Sequence, residues 1–157
     1  VSSAASDVYK RQRYMYGILE KQFRNYYKEA SRMGGITGEN LLVLLESRLD
    51  NVIYRAGFAS TRPQARQIAS HRHLKLNGSL VDIPSIQVKP GDKIELKDNS
   101  QNMIIVQHTI DTGQDNEIPS WLSVDNNKKT IEVLSLPSRG DISHQIEEQL
   151  IVELYSK

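Results

Sequence analysis

The 157-residue sequence contains no cysteine, which excludes disulfides and thiolate metal sites and is compatible with the cytoplasm. It has no apolar run approaching a membrane span, and its N-terminus lacks the apolar core of a signal peptide. No nucleotide-binding glycine loop, no HExxH and no nucleophile with a paired histidine occurs, so the chain offers no catalytic constellation. The most informative absence is local. From Asn51 to Val81 there is no acidic residue, yet Arg55, Arg62, Arg66, Arg72 and Lys75 all fall inside. A solvated face ordinarily mixes signs, and this one has nothing of opposite sign to pair with inside the stretch. Such a surface suits a polyanion, and RNA above all.

What is present is a globular mix, 38% hydrophobic and 25% charged, long enough to bury a real core in one domain or two small ones. The net charge of +1 hides an uneven spread. Residues 1–35 carry seven basic against three acidic residues, 36–100 nine against seven, and 101–157 four against nine. The basic first half is expected to meet nucleic acid, and the acidic tail to face solvent or a protein.

The N-terminal stretch, residues 1–12, is small, polar and aperiodic, and reads as a leader of disordered or foreign character. Arg13 to Met33 is predicted helical, with Tyr16, Leu19, Phe23, Tyr26, Tyr27 and Ala30 on its apolar side. Lys21, Arg24, Lys28 and Arg32 step by three, four and four along another side, partly offset by Glu20 and Glu29. Aromatics at helical spacing belong more often to a core than to a base-stacking platform. Gly34-Gly35 ends this helix.

A second helix is expected to start at Thr37 and run unbroken to Ala56, because Leu41, Leu44, Leu45, Leu49, Val52, Ile53 and Ala56 recur at three- and four-residue spacing. Gly57 suits the left-handed residue that ends it. Thr61 with Gln64 three residues on is a capping-box pattern that opens a third helix, and Pro63 is tolerated in its first turn. Ala65, Ile68 and Ala69 face inward, while Arg62, Arg66, Ser70 and His73 line the outside.

Leu74–Leu76, Asn77-Gly78 and Ser79–Val81 read as a hairpin. A strict two-residue turn puts Leu80 on the face opposite Leu74 and Leu76, so a bulge or longer loop is expected. Lys89-Pro90-Gly91-Asp92 fits a type II turn, followed by an alternating strand at Lys93–Leu96. Beyond it, Met103–Val106 reads as a short strand, Pro119–Leu122 as an apolar anchor around Trp121, and Thr130–Leu136 as a closing strand. A final helix, capped by Ser143, buries Ile146, Leu150, Ile151 and Leu154. The fold class is α+β, a helical domain plus an αα-then-β module with a small, mostly antiparallel sheet.

His71-x-His73 has no third ligand at a recognisable spacing, so no metal is assigned. Asp50, Asp82 and Asp92 fit helix and turn chemistry. No cofactor, small-molecule substrate or membrane partner is expected.

Several segments carry a resemblance. YGILEKQFRNYYKEA (Tyr16–Ala30), TGENLLVLLESRLDNVIYRAGFASTRPQARQIASH (Thr37–His71), LKLNG (Leu74–Gly78), PSWLSVD (Pro119–Asp125) and PSRGDISHQIEEQLIVELYSK (Pro137–Lys157) resemble, in that order, the bacterial small-subunit ribosomal proteins of the S-four family. The resemblance spans Arg13 to Lys157. It implies that residues 13–46 and 137–157 form one helical domain and residues 47–136 the inserted module. It also implies a structural protein, not an enzyme, that binds small-subunit ribosomal RNA directly at a multi-helix junction early in assembly. It would lie beside the S-five family neighbour, in the cytoplasm, and support translational accuracy. Carried over residue by residue, the RNA-facing set is Arg48, Arg55, Arg62, Arg66, Gln67, His71, Arg72, His73 and Asn77. Lys75 joins it from the acid-free stretch, and Lys21, Arg24, Lys28 and Arg32 form a second set. Family members open with a further basic segment, which in some holds zinc through cysteines; that segment has no counterpart here, and residues 1–12 match nothing expected in its place.

Rival readings make different demands. An RNA-modifying enzyme or aminoacyl-tRNA synthetase carrying the same module needs a catalytic domain for which too little chain remains. A free-standing S-four-module protein acting on ribosomes or folded RNA would not need the segments at both chain ends. A pure protein-interaction domain leaves the acid-free stretch unexplained.

Overall fold

The computed structural model describes Arg13, residues 16–113 and residues 117–138. Among these are five helices: α1 (Glu20–Arg32), α2 (Thr37–Glu46), α3 (Leu49–Arg55), α4 (Arg62–Ser70) and α5 (Ile104–Thr112). Five strands, β1 (Leu74–Leu76), β2 (Ser79–Val81), β3 (Lys93–Leu96), β4 (Leu122–Asp125) and β5 (Thr130–Val133), form one antiparallel sheet in the order β2-β1-β3-β5-β4. The α+β expectation holds. The predicted leader (1–12) and C-terminal helix lie outside the described residues.

The chain divides into two compact units, one reaching to Glu46 and the other spanning Ser47–Pro137. In the first, Tyr16, Ile18, Phe23, Ala30, Leu41, Leu42 and Leu45 make a buried cluster. The Tyr16 hydroxyl donates to Glu46 Oε1 at 2.7 Å, so its polar end is satisfied inside. Asn40 Nδ2 donates to the carbonyls of Ala30 and Gly34, which closes the end of α1 on α2. The helix predicted from Arg13 is interrupted: Arg13 and Tyr16 are helical, but Gly17 at φ +66° and an extended Leu19 separate them from α1, which opens at Glu20. Leu19, expected inside, is 80% exposed because it precedes the helix whose face it was assigned to.

The second unit has one core, in which α3 and α4 cover one face of the sheet. Leu49, Val52, Ile53, Ala65, Ile68 and Ala69 pack with Leu74, Ile94, Leu96, Ile131, Val133 and Trp121. The predicted apolar anchor at Trp121 is thus part of this core.

Three further expectations are corrected. The helix predicted over Thr37–Ala56 is two helices, because Arg48 is extended (φ −68°, ψ 141°) and bridges Gln87. The segment 84–88 supplies the hydrogen bonds that break it: Leu49 N–H donates to Ile86 O, Asp50 N–H to Pro84 O, and Val88 N–H to Ser47 O. Apolar periodicity continues through the break, so it gave no warning. The hairpin has no bulge. Asn77 and Gly78, at φ +52° and +85°, make a strict two-residue turn with Leu74 opposite Val81 and Leu76 opposite Ser79. Leu80 is simply left half-exposed, beside Lys75 on the outer face. Finally, Met103–Val106 is not a strand. Met103, Val106 and Ile110 meet the core at helical spacing, as α5 and its preceding residue.

Candidate nucleic-acid interface

The expected basic residues sit on elements with well-made ends. Helix α3 closes on Gly57 (φ +83°): Gly57 N–H donates to Tyr54 O, and Phe58 N–H reaches back to Ile53 O. Thr61 Oγ1 accepts from Gln64 N–H at 3.2 Å to start α4. The reciprocal arm of the box is displaced by one residue, since Gln64 Oε1 accepts from Ser60 N–H at 2.7 Å.

Between these ends the arginines gather. The Arg62 guanidinium lies 4.5 Å from the centroid of the Tyr54 ring, and that of Arg55 lies 6.0 Å from it. Arg62 Nε also donates to Asn51 Oδ1 at 3.1 Å. Arg66, one turn on, keeps 39% of its side chain exposed and places Nε 3.7 Å from Asp50 Oδ2. Gln67 is exposed next to it. Arg55, Arg62, Arg66 and Gln67 therefore share the α3–α4 region.

Other predicted residues are placed differently. Arg48 is buried, 3% exposed, and binds Asp50 through Nε and Nη2, each at 3.1 Å. It is a support beneath the surface, not a contact on it. Asn77 is committed to a turn: Nδ2 donates to Asp92 Oδ1 at 2.9 Å and Oδ1 accepts from Lys93 N–H at 2.8 Å. Lys75 lies on the outer face of the sheet, opposite Glu95 and away from the helices. His73 is half-buried with Nδ1 2.7 Å from Ser100 Oγ. Burial, then the charge of Lys97, then His71 lower its pKa below the ordinary 6.5. Its neighbour His71 is exposed, the two rings being 6.4 Å apart.

Arg72 is unusual. It takes the left-handed place after α4 (φ +63°), where glycine is usual, and the His73 N–H reaches back to Ile68 O to close the helix. Its exposed guanidinium meets Asp82 at 3.3 Å. The acids that the stretch lacks thus return from its two flanks, Asp50 to Arg66 and Asp82 to Arg72. The premise that these cations have nothing to pair with does not survive folding.

On α1, Lys21, Arg24, Lys28 and Arg32 are all exposed. Arg24 pairs with Glu20 at 2.8 Å and Arg32 with Glu29 at 3.4 Å. Among the described residues no group of three or more His, Asp or Glu side chains could hold a metal ion, and no helix is long and apolar enough to cross a membrane.

Two helices carrying outward arginines, followed by a tight hairpin and a short antiparallel sheet, define an S4 domain, and the S4 domain family model matches residues 47–94. The model of the ribosomal protein S4/S9 N-terminal domain matches residues 6–46, so residues 6–12 share the family pattern that the sequence alone denied them. The small ribosomal subunit protein uS4 of Chloroherpeton thalassium is 51% identical over 148 residues, covering 94% of this chain and 73% of that one. Its counterpart in Alkalilimnicola ehrlichii is 54% identical over 145 residues, covering 92% and 70%. The chain belongs to the uS4 family of small ribosomal subunit proteins.

Proposed function

We propose that this protein binds small-subunit ribosomal RNA directly, at a junction of several helices, and acts there as a scaffold without catalytic activity. The observation that carries this is the α3–α4 face, where Arg55 and Arg62 gather over the Tyr54 ring and Arg66, one turn on, keeps 39% of its side chain exposed with Nε 3.7 Å from the buried Asp50. Junction RNA crowds phosphates together, and a preformed cationic surface offsets their repulsion. The exposed α1 cations form a second contact set. In this reading the protein enters the small subunit early in assembly, lies against the S-five family neighbour, and supports accurate decoding. The family membership and the match to both domain models favour it over a free-standing S-four-module protein.

The test is a titration of the chain against a ribosomal RNA fragment containing the junction, with transfer RNA as competitor, at several salt concentrations. Tight binding that survives the competitor is expected. If about five phosphates are neutralised, log K falls with log salt at a slope of roughly −3.5 to −4.5. Arg66→Ala reduces that slope by about 0.7–0.9 and leaves the thermal midpoint nearly unchanged. Equal binding to both RNAs would remove the ribosomal assignment.

A further inference from the structure

Beneath the arginines of α4 lies a set of polar side chains in an unexpected place. Arg48, Asp50 and Asn51 are each no more than 3% exposed. The Asp50 carboxylate accepts from Arg48 Nε and Nη2, and its Oδ1 also accepts from the Asn51 N–H at 2.7 Å. Its Oδ2 then faces outward to Arg66 Nε at 3.7 Å. Asn51 acts alike one turn earlier on α4, its Oδ1 accepting from Arg62 Nε. Arg62 is therefore hydrogen-bonded at Nε, and Arg66 is charge-paired at the same edge of its guanidinium, the one nearest the stem. A buried ion pair is weak evidence for stability, since apolar residues of similar volume often serve as well. Its presence directly under a cationic face calls for another explanation.

We propose that Asp50 is a positioning residue: from below the surface it sets the guanidinium of Arg66 to receive a phosphate of the RNA backbone. Asn51 does the same for Arg62, about 6 Å away along the helix axis. Arg48 completes the device by balancing the Asp50 charge, so that the potential above α4 remains positive. This inference rests on the RNA-binding function proposed above and deepens it. Its chemistry is that of preorganisation: a long side chain ordered in advance does not lose its freedom when the ligand arrives.

The experiment is a double-mutant cycle on the full chain, with the junction RNA fragment as probe at one salt concentration. Asp50→Asn is made in the wild-type and Arg66→Gln backgrounds. Because Asp50→Asn leaves Arg48 buried without a counter-charge, the joint replacement Arg48→Met with Asp50→Leu serves as a second variant that removes both charges together. Each change is expected to weaken RNA binding roughly three- to ten-fold in the wild-type background, the cost of ordering one side chain on binding. Neither should alter affinity once Arg66 is glutamine. In the RNA-free protein, the 15N NMR signal of the Arg66 Nε–H group should lose its dispersed position in both variants.

An equal loss in both backgrounds would assign Asp50 a merely structural role and overturn the inference. So would Arg66→Gln binding like wild type, or an unmoved Nε–H signal. Equal affinity of the wild type for transfer RNA and the junction would instead defeat the ribosomal assignment. The Asp50–Arg66 coupling would still decide this inference, since phosphate contacts carry no sequence information.

Discussion

The basic faces of α1 and α4 look alike in spacing and differ in what stands behind them. On α1 the arginines meet carboxylates of the same helix, Glu20 with Arg24 and Glu29 with Arg32, with all four side chains about half-exposed or more. On α4, Arg62 and Arg66 meet Asn51 and Asp50, buried side chains of another helix. Exposed pairs within a helix are worth a few tenths of a kcal/mol and are screened by salt. A buried polar layer exists only if the tertiary structure builds it, and it is costly to leave half-made. Periodicity of basic residues therefore does not distinguish a diffuse positive surface from one preset to a geometry.

The comparison can be broken most forcefully at Asp50. Asp50→Ala strands the buried Arg48 and should destabilise the fold by about 3–5 kcal/mol in urea unfolding, with most of the loss recovered when Arg48→Met and Asp50→Leu are combined. A cost under about 1 kcal/mol would mean that the layer is no more integral than the pairs of α1. Asn77→Ala comes next. It removes two side-chain hydrogen bonds from a residue at φ +52°, and about 1–2 kcal/mol of stability should go with them. RNA affinity of the folded protein should stay unchanged, which separates turn residues from contact residues.

His73 tests the burial of a titratable group beside the interface. The fold favours its neutral ring, so the unfolded chain takes up the proton first. The contribution is complete above pH 6.5 and is lost as pH falls through the lowered folded value. His73→Gln should flatten that part of the stability profile, measured by thermal unfolding between about pH 7 and 5. The smallest effect is expected on α1, where Arg24→Ala should change stability by no more than about 0.5 kcal/mol, and less at high salt.

Much of the framework was legible because it is written over short distances. Thr61 with Gln64, Gly57, Asn77-Gly78 and Pro90-Gly91 act within four residues, and each is found where the local chemistry requires it. The hydrophobic faces of α2, α3 and α4 were legible for the same reason. The misreadings came where distant segments intervene. Nothing near Ser47 and Arg48 announces that residues 84–88 will take their hydrogen bonds and divide a helix. Nothing in Met103–Val106 tells a buried strand from one face of a helix without knowing what covers it.

For the site the division is sharper still. The sequence alone determined that a cationic helical pair would precede a hairpin turning at Asn77-Gly78, and the quoted segments identified its family. Only the tertiary structure decided that Arg48 turns inward while Arg62 and Arg66 remain partly at the surface, and that Asp50 and Asp82 close on cations from either flank. The reason is physical. Helix starts, stops and turns depend on neighbours a few residues away, whereas a charged side chain takes its role from whatever packs over it, and that is settled by contacts between segments far apart in the chain.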